Sequence, residues 1–294
     1  MQLYFVHGLT VLGIAICCYA ATMQKREACE YAGVKSTHTM CIEKNVGEEV
    51  PVDDVTQKEI IDKHNTLRAG VNPSAGRMPE VIWDGELAQI ALKWAQQCVF
   101  GHDENDNRRT KAYPSVDIGQ NCAYDTKTWT QAIDNWYSEV SSFKYGTGSV
   151  DGEPVGHYTQ VVNDNAVRVG CGQAKCPVGS SVAFKERSFV CNYGRGQYSF
   201  ELKRPYVLDN PCDDCPGHCD KELNLCYCNG MLCQNGGRMD YSTCKCNCTT
   251  LYTGNECSQI DCKPDSHICP LYKVEWCQKY TNVPQECPKK CKVC

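Results

Sequence analysis

The sequence predicts an α/β fold, a sandwich of three layers followed by small disulfide-rich modules. Two observations carry that expectation. Between residues 56 and 193, three segments with helical apolar spacing precede two segments that pattern as strands and are closed by cysteines. After Pro205 the helical periodicity stops, and cysteines crowd stretches too short to bury a core of their own. At 294 residues the chain is long enough for one full core plus such modules.

The chain opens with a short apolar run from Val11 to Cys18, followed by the small residues Ala20 and Ala21. Residues 1–21 thus pattern as a secretory signal peptide without the usual basic leader, and the run is too short to span a bilayer. No later segment is long and apolar enough to span one either. Cysteine usage agrees with secretion: 25 in all, concentrated toward the C-terminal end, as expected of thiols oxidised in an extracellular compartment. Loss of Cys17 and Cys18 with the signal leaves an odd number, so one cysteine lacks a partner within the chain. Lys25-Arg26 is either a dibasic processing site or a chance pair, and the second reading is preferred. A net charge of −5 and the lack of basic blocks argue against nucleic acid as the main partner.

Cys29 and Cys41 are spaced to form a small staple around Thr37-His38-Thr39-Met40. The first helix is expected to start at Thr56-Gln57-Lys58-Glu59, a capping box in which Thr56 and Glu59 satisfy each other's free amides. Ile60, His64, Leu67 and Val71 then recur on one face, with Arg68 beside His64 as a structural polar pair tying the helix to neighbouring loops. Asp84 is the expected cap of a second helix, with the stripe Leu87, Ile90, Ala91, Trp94 and Cys98. That helix should stop at Phe100-Gly101, so that His102 emerges just past its end. A third helix begins with the capping box Thr128-Trp129-Thr130-Gln131 and carries Trp129, Ile133, Trp136 and Val140 inward, with Glu139 at the margin of the stripe. Next comes GHYTQVVNDNAVRVGCG, residues 156–172. His157 stands ahead of the buried Tyr158, Val161 and Val162, a placement suited to a ligand, a proton carrier or simply a packed polar residue. Val167, Val169 and Cys171 alternate with Arg168 and Gly170, as expected of one strand with a single buried face. A further strand is expected from Ser188 to Tyr193.

Beyond Pro205, Cys212, Cys215, Cys219 and Cys226 form one cluster, and Cys228, Cys233, Cys244, Cys246, Cys248 and Cys257 a second. Cys262, Cys269, Cys277, Cys287, Cys291 and Cys294 form a third. In modules this small the crosslinks do the stabilising, roughly 2–4 kcal/mol each, and spacing alone does not give their connectivity. Leu225-Cys226-Tyr227 precedes the second cluster in place of an acidic run, which argues against calcium there. Asn247-Cys248-Thr249 is a glycosylation sequon, disfavoured because Cys248 is expected in a bridge.

Several of these motifs together resemble the CAP family, which includes cysteine-rich secretory proteins, insect venom antigens and pathogenesis-related plant proteins. They are His64-Asn65-Thr66-Leu67-Arg68, Gly119-Gln120-Asn121, Gly156-His157-Tyr158-Thr159-Gln160-Val161-Val162 and Phe189-Val190-Cys191-Asn192-Tyr193. Their order and spacing match over residues 50–205. The segment around Thr37-His38-Thr39 resembles the N-terminal extension of venom-antigen members. Residues 212–226 resemble the hinge that follows such domains. The second cluster, with Cys233-Gln234-Asn235-Gly236-Gly237, resembles an EGF module, and the third resembles the ShK toxin domain. The implied organisation is a signal peptide (1–21), a stapled extension (22–50), a CAP domain (51–205), a cysteine-rich hinge (206–227), an EGF-like module (228–258) and a ShK-type module (262–294).

The resemblance implies an α-β-α sandwich with a cleft formed by two histidines and two acids. On this chain the histidines are His102 and His157 and one acid is Glu139. The other acid is replaced by Gln120. Asn163 stands where the family usually has tryptophan, and Cys191-Asn192-Tyr193-Gly194-Arg195-Gly196-Gln197 lacks the usual proline and Gly-Asn. The implied bridges are Cys29–Cys41, Cys98–Cys176, Cys171–Cys191, Cys262–Cys294, Cys269–Cys287 and Cys277–Cys291. Cys122 is left over, either a point of intermolecular crosslinking or, the preferred reading, a buried inert thiol.

Two facing imidazoles suit zinc or another divalent cation, with Glu139 as third ligand or as the base for a metal-bound water. Gln120 cannot take a proton, so paired-carboxylate catalysis is lost. No serine or cysteine stands beside these histidines in a recognisable nucleophile motif. The preferred function is therefore non-enzymatic: extracellular binding of a protein, an ion channel or a sterol-like lipid. Two alternatives stand beside it. One is a metal-dependent peptidase using His102, His157 and Glu139. The other is a channel modulator in which Lys279 and Tyr280 of the ShK-type module act as the lysine–aromatic contact.

Overall fold

The computed structural model describes residues 29–179, 186–280 and 282–294; the expected signal peptide and Lys25-Arg26 lie outside them. The first half of the described chain carries four helices, α1 (Asp54–Ala69), α2 (Gly85–Ala95), α3 (Trp129–Ser138) and α4 (Gly156–Val161). Seven strands accompany them: β1 (Glu48–Val50), β2 (Ile82–Trp83), β3 (Ile118–Tyr124), β4 (Phe143–Lys144), β5 (Gly148–Ser149), β6 (Arg168–Lys175) and β7 (Arg187–Gly194). The central sheet runs β1-β6-β7-β3 antiparallel, with β2 added parallel to β6.

On one face of this sheet α2 lies across β6 and β7; on the other α1, α3 and α4 pack together, giving an α-β-α sandwich. The main core lies on that second side, where Ile60, Trp129, Ile133, Trp136, Tyr158 and Val161 close over Val169, Cys171, Phe189, Cys191 and Tyr193. The expectation of a single buried face for β6 is corrected here: positions 169 to 174 are all buried, because helices cover both sides. Gly170 and Gly172 face α2, and a Cβ at either position would fall inside the helix backbone at Asp84, Ala88 and Leu92. The alternation of glycine with Val169 and Cys171 therefore records a close helix–sheet approach, not an exposed edge.

The ends of three helices correct further expectations. The cap of α1 is Asp53, whose carboxylate accepts from Thr56 N at 2.9 Å; Thr56 lies inside the helix, Glu59 instead accepts from the Thr130 hydroxyl, and Val71 follows the end of the helix at Gly70. Asp84 does cap α2, but that helix ends at Ala95, and the chain turns through Cys98 at φ 55° before reaching Phe100. Thr128 caps α3, accepting from Gln131 N, while Gln131 Oε1 reaches Lys127 N where a full box would use Thr128 N. Val140 lies past the end of α3, in a short 3-10 turn that begins at Glu139.

Eleven disulfides join the described residues. Cys29–Cys41, Cys98–Cys176 and Cys171–Cys191 hold the sandwich and its extension. Cys212–Cys219 and Cys215–Cys226 follow, then Cys228–Cys244, Cys233–Cys246 and Cys248–Cys257. The last segment has Cys262–Cys294, Cys269–Cys287 and Cys277–Cys291. Cys122 is the free cysteine among the described residues, and it is buried.

The disulfide-rich region is seated on the sandwich. Leu225 is fully buried in the main core, and Cys226 N donates to Met78 O at 2.8 Å. Leu232 completes a second cluster with Leu87, Val116, Ile118 and Val167. Tyr241 donates its hydroxyl to Asp164 O at 3.0 Å.

Candidate functional site

The cleft opens where the turn after α2, the strand β3 and the N-terminus of α4 converge. Its frame is a chain of hydrogen bonds through the sequence motifs. His64, wholly buried on α1, donates from Nδ1 to Ile60 O and accepts at Nε2 from the Tyr193 hydroxyl at 3.0 Å. Asn121 Nδ2 reaches that same hydroxyl at 3.4 Å and the carbonyl of His157 at 3.1 Å. Arg68 donates to the carbonyls of Pro79, Val161, Asn163 and Ala166, so its guanidinium serves as the hub for the loop following α4. Asn163, at the position where tryptophan was expected, is itself fully buried and accepts from Asn165 N at 2.8 Å.

The two expected histidines do meet: the rings of His102 and His157 are 6.4 Å apart between centroids. His157 lies on α4, half-buried, and the ring of Trp136 stacks over it at 6.5 Å. Glu139 accepts from His157 Nδ1 at 2.7 Å through one oxygen. Its other oxygen accepts the backbone amides of His157 and Tyr158, two free donors of the α4 first turn, at 2.8 and 3.0 Å. Gln120 Oε1 accepts from His102 Nδ1 at 2.9 Å, while its amide nitrogen donates to Asp103 and Asn192, which fixes which way the amide points. Each imidazole is thus anchored through Nδ1 and offers the lone pair of Nε2 to the cleft. His102 exposes one edge and packs the other in a recess dense with protein. That desolvation, with the Arg108 and His157 charges behind it, holds its pKa below the ordinary value against the opposing Gln120 hydrogen bond.

One juxtaposition has no sequence signal. Cys122 Sγ lies 3.6 Å from His102 Nδ1, although the two are twenty residues apart and form no motif. The Nδ1 proton is committed to Gln120, and burial pushes the Cys122 thiol up to about 12, so the pair lacks both the base and the thiolate that a nucleophile needs. Among the described residues no group of three or more His, Cys, Asp or Glu side chains is placed to hold a metal ion. His102 and His157 are two such side chains, and both Glu139 oxygens are already engaged by His157 and Tyr158.

Two hollows flank His102. One, of about 460 Å³, is walled by Phe100, Ala123, Tyr124, Trp136 and His157. The other, of about 280 Å³, is polar and lined by Arg108, Asp117, Gln120, Gln160 and Gln197. Lys279 and Tyr280 lie in the last disulfide-bonded segment, exposed, with the ammonium 5.3 Å from the centre of the tyrosine ring.

Fold and cleft together define a protein of the cysteine-rich secretory class, an α-β-α sandwich whose paired histidines share one crevice. The sequence profile of the cysteine-rich secretory protein (CAP) family matches residues 61–193. Cysteine-rich venom protein Mr30 of Conus marmoreus is 34% identical over 299 residues, covering 97% of this chain and 96% of its own. A cysteine-rich venom protein of Conus textile is 35% identical over 295 residues, covering 92% of each. The chain belongs to the CAP family. Cysteine-rich secretory protein 3 of Homo sapiens is 36% identical over 213 residues, 70% of this chain and 80% of that one. A solved structure, NaASP2 with Zn2+, superposes with TM-score 0.45 at 24% identity over 60% of this chain and 96% of its own. No described helix is long and apolar enough to cross a membrane. The disulfides and the secretory and venom relatives are consistent with an extracellular location.

Proposed function

We propose that the chain is a secreted, non-enzymatic binding protein in which a CAP domain (51–205) presents a ligand cleft. In this proposal the hinge (206–227), an EGF-like module (228–258) and a ShK-type module (262–294) contact extracellular protein. The observation that carries it is the anchoring of both imidazoles. Gln120 and Glu139 hold the Nδ1 atoms, so the site is rigid and its Nε2 pair is preset to bind. Both Glu139 oxygens are already engaged by His157 and Tyr158, so that carboxylate is not free to serve as the base for a metal-bound water. His102 and His157 would hold zinc or another divalent cation. Glu139 would act by orienting His157, as outer carboxylates orient metal-bound imidazoles. A cation held in this way supplies Lewis acidity.

Calorimetric titration of the oxidised full-length protein with Zn2+ tests this. One site is expected, abolished by His157→Ala and weakened about 10–100-fold by Glu139→Gln, with no cleavage of a peptide library. Cleavage that vanishes on chelation and in His157→Ala would establish the peptidase alternative instead.

The exposed Lys279–Tyr280 pair supports a second reading, ion-channel modulation. Currents blocked by the full chain and restored in Lys279→Ala would support it, and equal currents with both proteins would remove it.

A further inference from the structure

An amide presents oxygen on one side and NH2 on the other, so Gln120 can meet His102 in two ways. With Oε1 toward Nδ1 the ring carries its proton there and leaves Nε2 open. Reversed, the NH2 would donate to Nδ1 and move the ring proton to Nε2. Two buried acceptors decide between the two, Asp103 Oδ1 and Asn192 Oδ1, each 3.0 Å from the amide nitrogen. Asn192 is itself an amide and can turn, whereas a carboxylate accepts whichever way it faces. Asp103 therefore fixes the orientation. It is held in turn from two directions. Arg108 Nη1 donates to its Oδ1 at 2.7 Å, and the hydroxyl of Thr39, in the stapled extension, donates to its Oδ2. Thr39 opens the 3-10 turn Thr39–Cys41, which the Cys29–Cys41 bridge closes. His38 caps that turn by accepting from Met40 N at Nδ1, and its Nε2 donates to Arg109 O at 2.7 Å. The extension thus grips the chain just past His102 at two points, Asp103 and Arg109. Thr39, Asp103, Arg108 and Gln120 are all buried, which shields these bonds from competing water.

We propose that Asp103 is a positioning residue of the cleft and that the stapled extension, through Thr39, keeps it in place. The chain Thr39–Asp103–Gln120–His102 presets which ring nitrogen of His102 faces a ligand. The proposal rests on the binding role given to the cleft and assigns its control to residues that touch neither ligand nor cation. It also accounts for glutamine at position 120, where the family resemblance implies an acid. A glutamate there would set a second carboxylate against Asp103, and burial disfavours two such groups both ionised.

The first readout needs no ligand. Long-range 1H–15N spectra of the metal-free, oxidised full-length protein at pH 8, where an ordinary imidazole is neutral, should show His102 protonated at Nδ1. Asp103→Asn keeps the shape but removes the charge and the guarantee of an acceptor. It should shift His102 toward the Nε2-protonated form and weaken Zn2+ binding about tenfold. Thr39→Val should move both readouts in the same direction, with Zn2+ about threefold weaker. Thr39→Ser, which restores the hydroxyl, should return both to wild type. Urea unfolding is measured alongside, because Asp103→Asn also weakens the ion pair with Arg108. Thr39→Val leaves that pair intact and decides the matter should Asp103→Asn fail to fold. Lower stability with unchanged tautomer and unchanged Zn2+ affinity would make the carboxylate structural only and overturn the proposal, as would wild-type His102 protonated at Nε2. If the wild type takes up no Zn2+, the cation reading falls, while the tautomer in the metal-free variants still decides the positioning role.

Discussion

At the scale of single residues, the side chains that build the cleft frame are buried polar groups whose cost is met by fully assigned partners. His64 shows what that implies for pH. Burial is the main reason its pKa falls to about 4, with the Arg68 charge adding to it and the Ile60 carbonyl opposing. The folded pKa lies below the unfolded value of about 6.5. The neutral ring therefore contributes its full stabilisation above that pH, and the contribution is lost as pH falls toward 4. The size of the loss is about 3 kcal/mol. Urea unfolding at pH 7, 5.5 and 4.5 with disulfides intact should show this decline in the wild type and a flatter one in His64→Gln. Parallel declines would mean that other groups govern the acid limb. Helical spacing made the inward direction of His64 and Arg68 legible in the sequence. Their partners Tyr193 and the carbonyls of Val161, Asn163 and Ala166 were not, because hydrogen bonds across 93 to 129 residues leave no periodic trace.

At the scale of elements, apolar stripes placed α2 and α3 well, and β7 read correctly from its pattern. By contrast β3, with the sequence IGQNCAY, gives no strand signal, because it is buried on both faces and mixes polar with small residues. The same two-sided burial made β6 misread as half exposed. Its glycines test the explanation. Gly172→Ala places a methyl against the backbone of Leu92 and should cost about 3 kcal/mol, at the upper end for overpacking, by lifting α2 from the sheet. Gly156→Ala is the internal control: its Cβ would meet only Gln197 Nε2 at 3.8 Å, so stability should stay within about 0.5 kcal/mol. Equal, small effects at both sites would show that α2 has room to move.

For the whole molecule, the break in periodicity after Pro205 suggested small modules following the sandwich, yet Tyr206 and Leu225 of the proposed hinge are buried in its main core. Strand pairing links Pro79 to Cys226 and Ala75 to Leu208, and Gly76 N donates to Val207 O at 3.0 Å, so residues 75–80 are closed down by the hinge. Pro79 also accepts from Arg68, which connects this closure to the loop after α4 and so to the ground beneath His157. Single docking residues such as Leu225, Leu232 and Tyr241 carry no pattern of their own, which is why the sequence concealed the joint. Leu225→Ala distinguishes a docked hinge from a tethered one. With docking, the substitution should cost about 2–4 kcal/mol, as for any large-to-small change in a closed core. Amide exchange should then quicken in α1 and β2 as well as in the hinge. With tethering, faster exchange would be confined to residues 206–227, and the unfolding midpoint of the sandwich would not move.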